Sequence, residues 1–293
     1  TMLKAIKHQR DFITVAQRTA RQAHSYRPYR KIAYWHFAHS YTRGNWRNTA
    51  FPAPMIMAKS CHDLDLFQQY AGSKCESLSS MGDLTWFKHE NAPEGCADRC
   101  VDCKYIESCA YSAKYRYIDL WKADNKPQCW PYDVLSIETL TEDVLEKAIQ
   151  EGSYGRCVYR CDNNVVDHQS VQMQFANGIT ATFNATAFTK GGGRITVFRF
   201  SAGELLYEEE KGTIIEKPFR GENVVHSQNN IKDVMGHGGG DDGIVNALYA
   251  ALTGGKSEAD TSLENSIESH VMAIAAEDSR LAGGRLVEMN AYR

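Results

Sequence analysis

Val171-Gln172-Met173-Gln174-Phe175-Ala176-Asn177-Gly178-Ile179-Thr180-Ala181-Thr182-Phe183 is the stretch that decides the fold class. Val171, Met173 and Phe175 alternate with polar residues, and Ile179, Ala181 and Phe183 alternate back after Asn177-Gly178. Period-two alternation on both sides of an Asn-Gly pair predicts two antiparallel strands joined by a tight turn. Upstream, Cys157-Val158-Tyr159 reads as the start of another strand. Downstream, strands are expected at 195–200, 204–207 and 213–216, separated by Gly203 and Gly212. Consecutive strands with short connections mean an antiparallel or mixed sheet, not a βαβ winding.

The flanks of this block read as helices. Thr141 is an N-cap with Glu142 and Asp143 in the first turn, and Val144, Leu145 and Ala148 lead to a stop at Gly152. After the strands, Asp241 opens a helix through Ile244, Leu248 and Leu252 that ends at Gly254-Gly255. The capping box Thr261-x-x-Glu264 opens another, through Ile267, Val271, Ile274 and Ala275 towards Gly283-Gly284, with a last short strand over 285–289. The expected fold is α+β: a large, mixed, mostly antiparallel open sheet with helices on one face. Residues 1–33 form a divergent basic segment, with Leu3, Ile6, Ile13, Ala16 and Ala20 suggesting a weak helix broken at Arg27-Pro28-Tyr29. Residues 34–293 form the domain, with a cysteine-rich insertion at about 83–133.

The chain has 293 residues, 43% hydrophobic and 24% charged, enough to bury a substantial core. A formal charge of -3 argues against nucleic acid or an anionic membrane as the main partner. Residues 1–31 nevertheless carry eight Lys/Arg against the single acid Asp11. No run of about 18 apolar residues and no signal-peptide block occur. Nine cysteines without a secretion signal read as reduced thiols, so a cytoplasmic location is expected.

The chemistry concentrates in Lys59-Ser60-Cys61-His62-Asp63-Leu64-Asp65-Leu66-Phe67. It follows a proline loop and the apolar run Met55-Ile56-Met57-Ala58, and Leu64, Phe67 and Tyr70 continue at helical spacing to Gly72. Lys59, Cys61 and His62 are therefore expected at or just before a helix start, where the dipole lowers the pKa of a histidine or thiol. A neutral histidine with a lysine three residues away can move a proton to or from a bound hydroxyl. The alternative is a core histidine beside two acidic dipole partners.

Tyr34 to Arg47 is dense in aromatics, His and Arg. Such a segment can stack on a polar ring, or it is an aromatic strand turning at Gly44. Cys96-x3-Cys100-x2-Cys103-x5-Cys109 places four thiols within 14 residues, which suits one tetrahedral Zn²⁺. Unmetallated thiols and an iron–sulfur cluster are the alternatives, since the first three share the spacing of radical enzymes that use S-adenosylmethionine. Gly238 to Gly243 fits Gly-x-Gly-x-x-Gly, with Glu258 about 20 residues on. However, no buried parallel strand is expected before it, and Asp241-Asp242 would repel a pyrophosphate. It reads instead as a loop through which His237 and Asp241 reach substrate hydroxyls, or as a plain turn with an Asp cap. No glycine precedes Gly44, so no dinucleotide-binding turn lies in the first 43 residues.

Taken together, the segments Ala38-His39-Ser40-Tyr41-Thr42-Arg43-Gly44-Asn45-Trp46-Arg47, Lys59 to Asp65, Cys109-Ala110-Tyr111-Ser112-Ala113, Val166-Asp167-His168-Gln169, Gly236 to Asp241 and Ala275 to Arg280 resemble the glucose–fructose oxidoreductase / inositol dehydrogenase / rhizopine-catabolism family. The likeness covers roughly Tyr34 to Met289. It implies the C-terminal half of an NAD(P)-dependent oxidoreductase, like that of glyceraldehyde-3-phosphate dehydrogenase, without the nucleotide-binding half and so inactive alone. His62 matches the family's catalytic histidine; Lys59 as its aid is our inference. Arg43, Asn45, Trp46, His168, His237 and Asp241 fall at substrate-side positions. The resemblance further implies a sugar or polyol substrate and a homodimer or higher oligomer through the open sheet. The family's aspartate four residues before the histidine is Ala58 here, and its catalytic lysine has no counterpart. A non-enzymatic sugar-binding or assembly subunit and a fragment of an NAD-dependent glycosidase are the rival readings.

Overall fold

A computed structural model describes residues 23–50, 53–227, 240–254 and 263–293. Nine strands among them form one open sheet: β1 (Ala23–Ala33), β2 (Cys75–Asp83), β3 (His168–Phe175), β4 (Thr180–Thr189), β5 (Gly193–Phe200), β6 (Gly203–Glu208), β7 (Thr213–Pro218), β8 (Val224–Ser227) and β9 (Val287–Glu288). Their order is β8-β7-β6-β5-β1-β4-β3-β2-β9. The expected hairpin is β3–β4, with Val171 opposite Phe183 and Met173 opposite Ala181. Gly178 turns it at φ +83°, a value at which a Cβ would be strained. All neighbours are antiparallel except β1 and β4.

Residues 23–33, where a break at Arg27-Pro28-Tyr29 was expected, form the strand β1; the helix expected over Leu3 to Ala20 lies outside the described residues. Ala23–Ala33 inserts between β4 and β5, which are consecutive in the chain, so the sheet takes in residues before 34. Pro28 removes one ladder donor, yet the register with β4 holds across it, Tyr26 opposite Ala181 before and Tyr29 opposite Asn184 after. Tyr26, Pro28 and Ile32 face the buried side, and the Tyr26 hydroxyl donates to the Phe67 carbonyl oxygen at 2.8 Å.

The strand expected from Cys157 is absent, residues 158–159 forming a turn. The alternative of an aromatic strand at Tyr34 is not what forms: α1 (Tyr34–Phe37) leads into a wide π-turn over Ala38–Arg43 that closes at buried Gly44. A Cβ at Gly44 would stand 2.7 Å from the His39 carbonyl oxygen, so the turn needs glycine there.

Helix α2 (Met55–Ala71) starts after Pro54 and stops at Gly72, whose φ of +60° lets its N–H bond the Gln68 carbonyl. The apolar run Met55–Ala58 is thus the first turn of α2 rather than a lead-in to it. Between β2 and β3, residues 84–167 form the insertion, longer than expected. It holds the short α3 (Leu120–Ala123) and α4 (Glu142–Glu151), the latter capped by Thr141 Oγ1, which accepts from Val144 N–H at 3.3 Å. The insertion has its own core of Ala113, Tyr117, Ile118, Trp121, Leu145 and Ile149. Helices α5 (Gly240–Leu252) and α6 (Leu263–Leu281) follow β8, and α6 packs against both α2 and β2. The main core lies between α2, α6 and the covered sheet face, built from Tyr26, Leu64, Phe67, Phe175, Phe183 and Phe198. On the other face Ser170, Gln172 and Gln174 stay exposed. Among the described residues no helix is long and apolar enough to cross a membrane.

Candidate functional site

Lys59, His62 and Asp63 sit at i, i+3 and i+4 on α2, hence on one side of the helix. That side meets β1 and β5 where the covered sheet face turns from apolar to charged. Continuing the buried parity of Tyr26 and Pro28 along β1 reaches Arg30. The parity of Thr196 and Phe198 along β5 reaches Arg194, directly opposite Arg30. Two guanidiniums side by side on a helix-covered face need anions. Asp63 and Glu209 supply them: Arg194 Nε donates to Asp63 Oδ1 at 2.5 Å and Arg194 Nη1 to Glu209 Oε1 at 3.0 Å.

Lys59 stands at this cluster without a carboxylate in ion-pair reach among the described residues. Burial, then the Arg30 charge, bring its pKa from 10.5 down to about 8, against an opposing pull from Asp63. His62 is solvent-exposed at the rim, and partial desolvation followed by Arg194 holds it below the usual histidine range. The lowering expected from a helix start occurs at His62 but for another reason, burial and arginines, since α2 begins four residues before Lys59; the Cys61 thiol, expected low, is instead pushed up by burial. Arg30 Nε, Ser60 Oγ, Asp63 Oδ2 and Glu209 Oε2 are buried here without a protein hydrogen-bond partner. Unmet polar atoms around a poised lysine suit a ligand rich in hydroxyls.

An aromatic wall stands beside Lys59. His36 on α1 is depressed to about 3 by burial and then by the Lys59 charge, whose field reaches the ring. Trp130, 46% exposed, meets the rings of Trp35 at 5.4 Å and His36 at 5.0 Å, and the Arg116 guanidinium lies 3.7 Å over the Trp35 ring. His39 is buried, hydrogen-bonded through Nδ1 to the Tyr117 hydroxyl at 2.8 Å and stacked on Tyr154. Trp35 and His36 of the Tyr34 segment form this wall together with Trp130 from the insertion, which was not legible as part of it. Arg30 and Arg194 had a signal that was missed: a charged residue on the buried parity of an apolar strand.

The other expected site residues are dispersed. Arg43 is buried inside the insertion boundary, giving Nε–H to the Arg156 carbonyl and Nη2–H to the Tyr111 carbonyl, both at 2.7 Å. Asn45 and Trp46 lie in the exposed turn after Gly44. His168 follows the parity of exposed Ser170, so strand alternation sets it on the uncovered sheet face, away from Lys59. Its Nδ1 bonds the buried Asp167 at 2.8 Å, which also accepts from the Thr85 and Trp86 backbone. Asp241 is the second residue of α5, its side chain outside what is described, and His237 lies outside the described residues.

The expected zinc site finds no support. Among the described residues no three His, Cys, Asp or Glu side chains come together to hold an ion. Cys96, Cys100, Cys103 and Cys109 instead line the wall of a cavity of about 410 Å³, with Cys157 and Arg43. A tetrahedral ion would need thiolate sulfurs roughly 3.8 Å apart, set by Zn–S bonds of about 2.3 Å.

The fold is one seen before. Levoglucosan dehydrogenase in complex with NADH and levoglucosan superimposes at TM-score 0.57 with 11% identity, over 95% of this chain and 62% of that one. An oxidoreductase from Agrobacterium radiobacter in complex with NAD⁺, L-tartaric acid and magnesium does so at 0.56 and 11%, over 96% and 61%. An oxidoreductase domain protein from Kribbella flavida matches at 0.57 and 13%, over 94% and 61%. The chain has the fold of an oxidoreductase domain. It spans about three fifths of the length of these structural relatives (61–62%). No protein-family model and no curated protein sequence matches it. At 10–13% identity the likeness establishes the fold.

Proposed function

We propose that this chain is the substrate-binding part of an NAD(P)-dependent oxidoreductase acting on a sugar, polyol or related hydroxyl compound. The observation that carries the reading is Lys59: a half-buried ammonium with a pKa of about 8, three residues from exposed His62, near an aromatic wall. In oxidation, His62, with Lys59 polarising the same oxygen, takes the hydroxyl proton, while Trp130 and His36 flank the ring. The nicotinamide, when bound, supplies the hydride chemistry. The described residues do not fit a dinucleotide site. The one parallel strand pair, β1 and β4, is not a βαβ unit, and α5 follows an antiparallel strand. The coenzyme is therefore assigned to a separate nucleotide-binding unit, and pairing of two copies to the uncovered sheet face. Asn45, Trp46, His237 and Asp241 stay proposed contacts for larger substrates; His168, across the sheet, does not. The relatives crystallised with levoglucosan and with L-tartaric acid support a small polyhydroxy substrate.

Calorimetric titration with a panel of sugars and polyols tests the reading. One member is expected to bind, and Lys59→Met is expected to weaken it at least tenfold. No binding across the panel, or binding indifferent to Lys59, rejects the site. Micromolar NADH binding by fluorescence titration rejects the separate nucleotide-binding unit.

A further inference from the structure

We infer that the cavity between the main core and the insertion holds an iron–sulfur cluster. Five thiols line it, those of Cys96, Cys100, Cys103, Cys109 and Cys157. They come from both sides of the boundary: Cys96 and Cys157 belong to the main core, Cys100 to the core of the insertion. A single ion would draw three or four donors to one point, and no such convergence exists among the described residues. The thiols surround a volume of about 410 Å³ instead. A polynuclear cluster needs that arrangement, because its irons sit at the corners of a cage and carry their thiolates outward.

Charge gives the second, independent reason. Arg43 is 2% exposed, and its guanidinium donates to two carbonyl oxygens and to Cys100 Sγ, the last at 3.4 Å, beside the Tyr117 hydroxyl. No carboxylate among the described residues pairs with it. The acidic groups that face it are the thiols of Cys100, Cys109 and Cys161 and the Tyr117 phenol. A buried cation without a carboxylate partner calls for an anion beside it. A cluster held by four thiolates is a net anion, and Arg43 already directs an N–H at one of its sulfurs. Cys100, Cys103 and Cys109 are assigned as three ligands. Cys96 and Cys157, whose thiols touch each other, supply the fourth between them.

The test uses the full chain, purified without oxygen or reconstituted with ferrous iron and sulfide. About four irons and four acid-labile sulfides per chain are expected, with a broad visible band that dithionite bleaches. The double variant Cys103→Ser/Cys109→Ser is expected to lose at least tenfold of the bound iron. Cys129→Ser, an exposed cysteine outside the cavity, should keep it. One zinc per chain without labile sulfide, or no metal retained after reconstitution, overturns the inference. Should the double variant fail to fold by circular dichroism, the iron-to-sulfide ratio of the wild-type chain decides by itself.

Discussion

Arg194 Nε donates a 2.5 Å hydrogen bond to Oδ1 of Asp63, joining the sheet to the helix that carries Lys59 and His62. Asp63 is 2% exposed, and it faces three cations, Arg30, Arg194 and Lys59. This one carboxylate both locks α2 onto β5 and moderates the charge that Lys59 feels.

Replacing Asp63 by Asn removes the anion and leaves its arginine partners buried. Breaking a pair of this kind costs about 3–5 kcal/mol. Urea denaturation should show that loss, and a midpoint equal to that of the parent would mean the pair contributes nothing.

Lys59 makes stability depend on pH in a definite direction. Its folded pKa of about 8 lies below the ordinary 10.5. Between those values the unfolded chain holds a proton that the folded chain has released. Unfolding free energy should therefore climb with pH across that window, by about 1.4 kcal/mol per unit from this group. Below pH 8 both states carry the proton and the slope vanishes. Lys59→Met should abolish the climb; denaturation curves at the two ends of the window compare the proteins directly.

His62→Gln should leave the fold alone and impair the reaction. The side chain is exposed, so the stability change should stay within about 0.5 kcal/mol. With a nucleotide-binding unit supplied, substrate oxidation should fall by roughly 10²–10⁴-fold. Because burial and Arg194 hold His62 below its usual range, the acid limb of the parent's rate profile should lie lower than for a free histidine. Undiminished turnover would exclude His62 as the base.

Trp130→Ala should act on binding. The ring is half open and rests against Trp35 and His36. Its removal should raise KM for the sugar by about threefold to tenfold, with kcat little changed. A loss confined to kcat would move Trp130 from the ring wall to a role in the reaction.

Legibility in the sequence followed the range of the interactions. The β3–β4 hairpin, the stop at Gly72 and the Thr141 cap could be read because each rests on neighbours a few residues apart. The strand β1 could not. Its Arg27, Pro28, Arg30 and Lys31 look unlike a strand, and its partners β4 and β5 lie some 150 residues away. The start of α2 was misjudged by one turn because Pro54 and the apolar run after it fit a loop as well as a first helical turn. Four cysteines announced themselves by spacing, whereas Cys157 joined them only through the chain's return at residues 156–158.

Local pattern in the chain determined that a mostly antiparallel sheet forms and that a helix runs through Leu64 and Phe67 to a stop at Gly72, since period and turn chemistry act between near neighbours. Tertiary structure decided that Lys59 faces two arginines and an aromatic wall, that Arg43 is sealed among thiols, and that His168 lies across the sheet. Burial and charge pairing depend on residues far apart in sequence, and they set the proton affinity of each side chain only after the chain has closed around it.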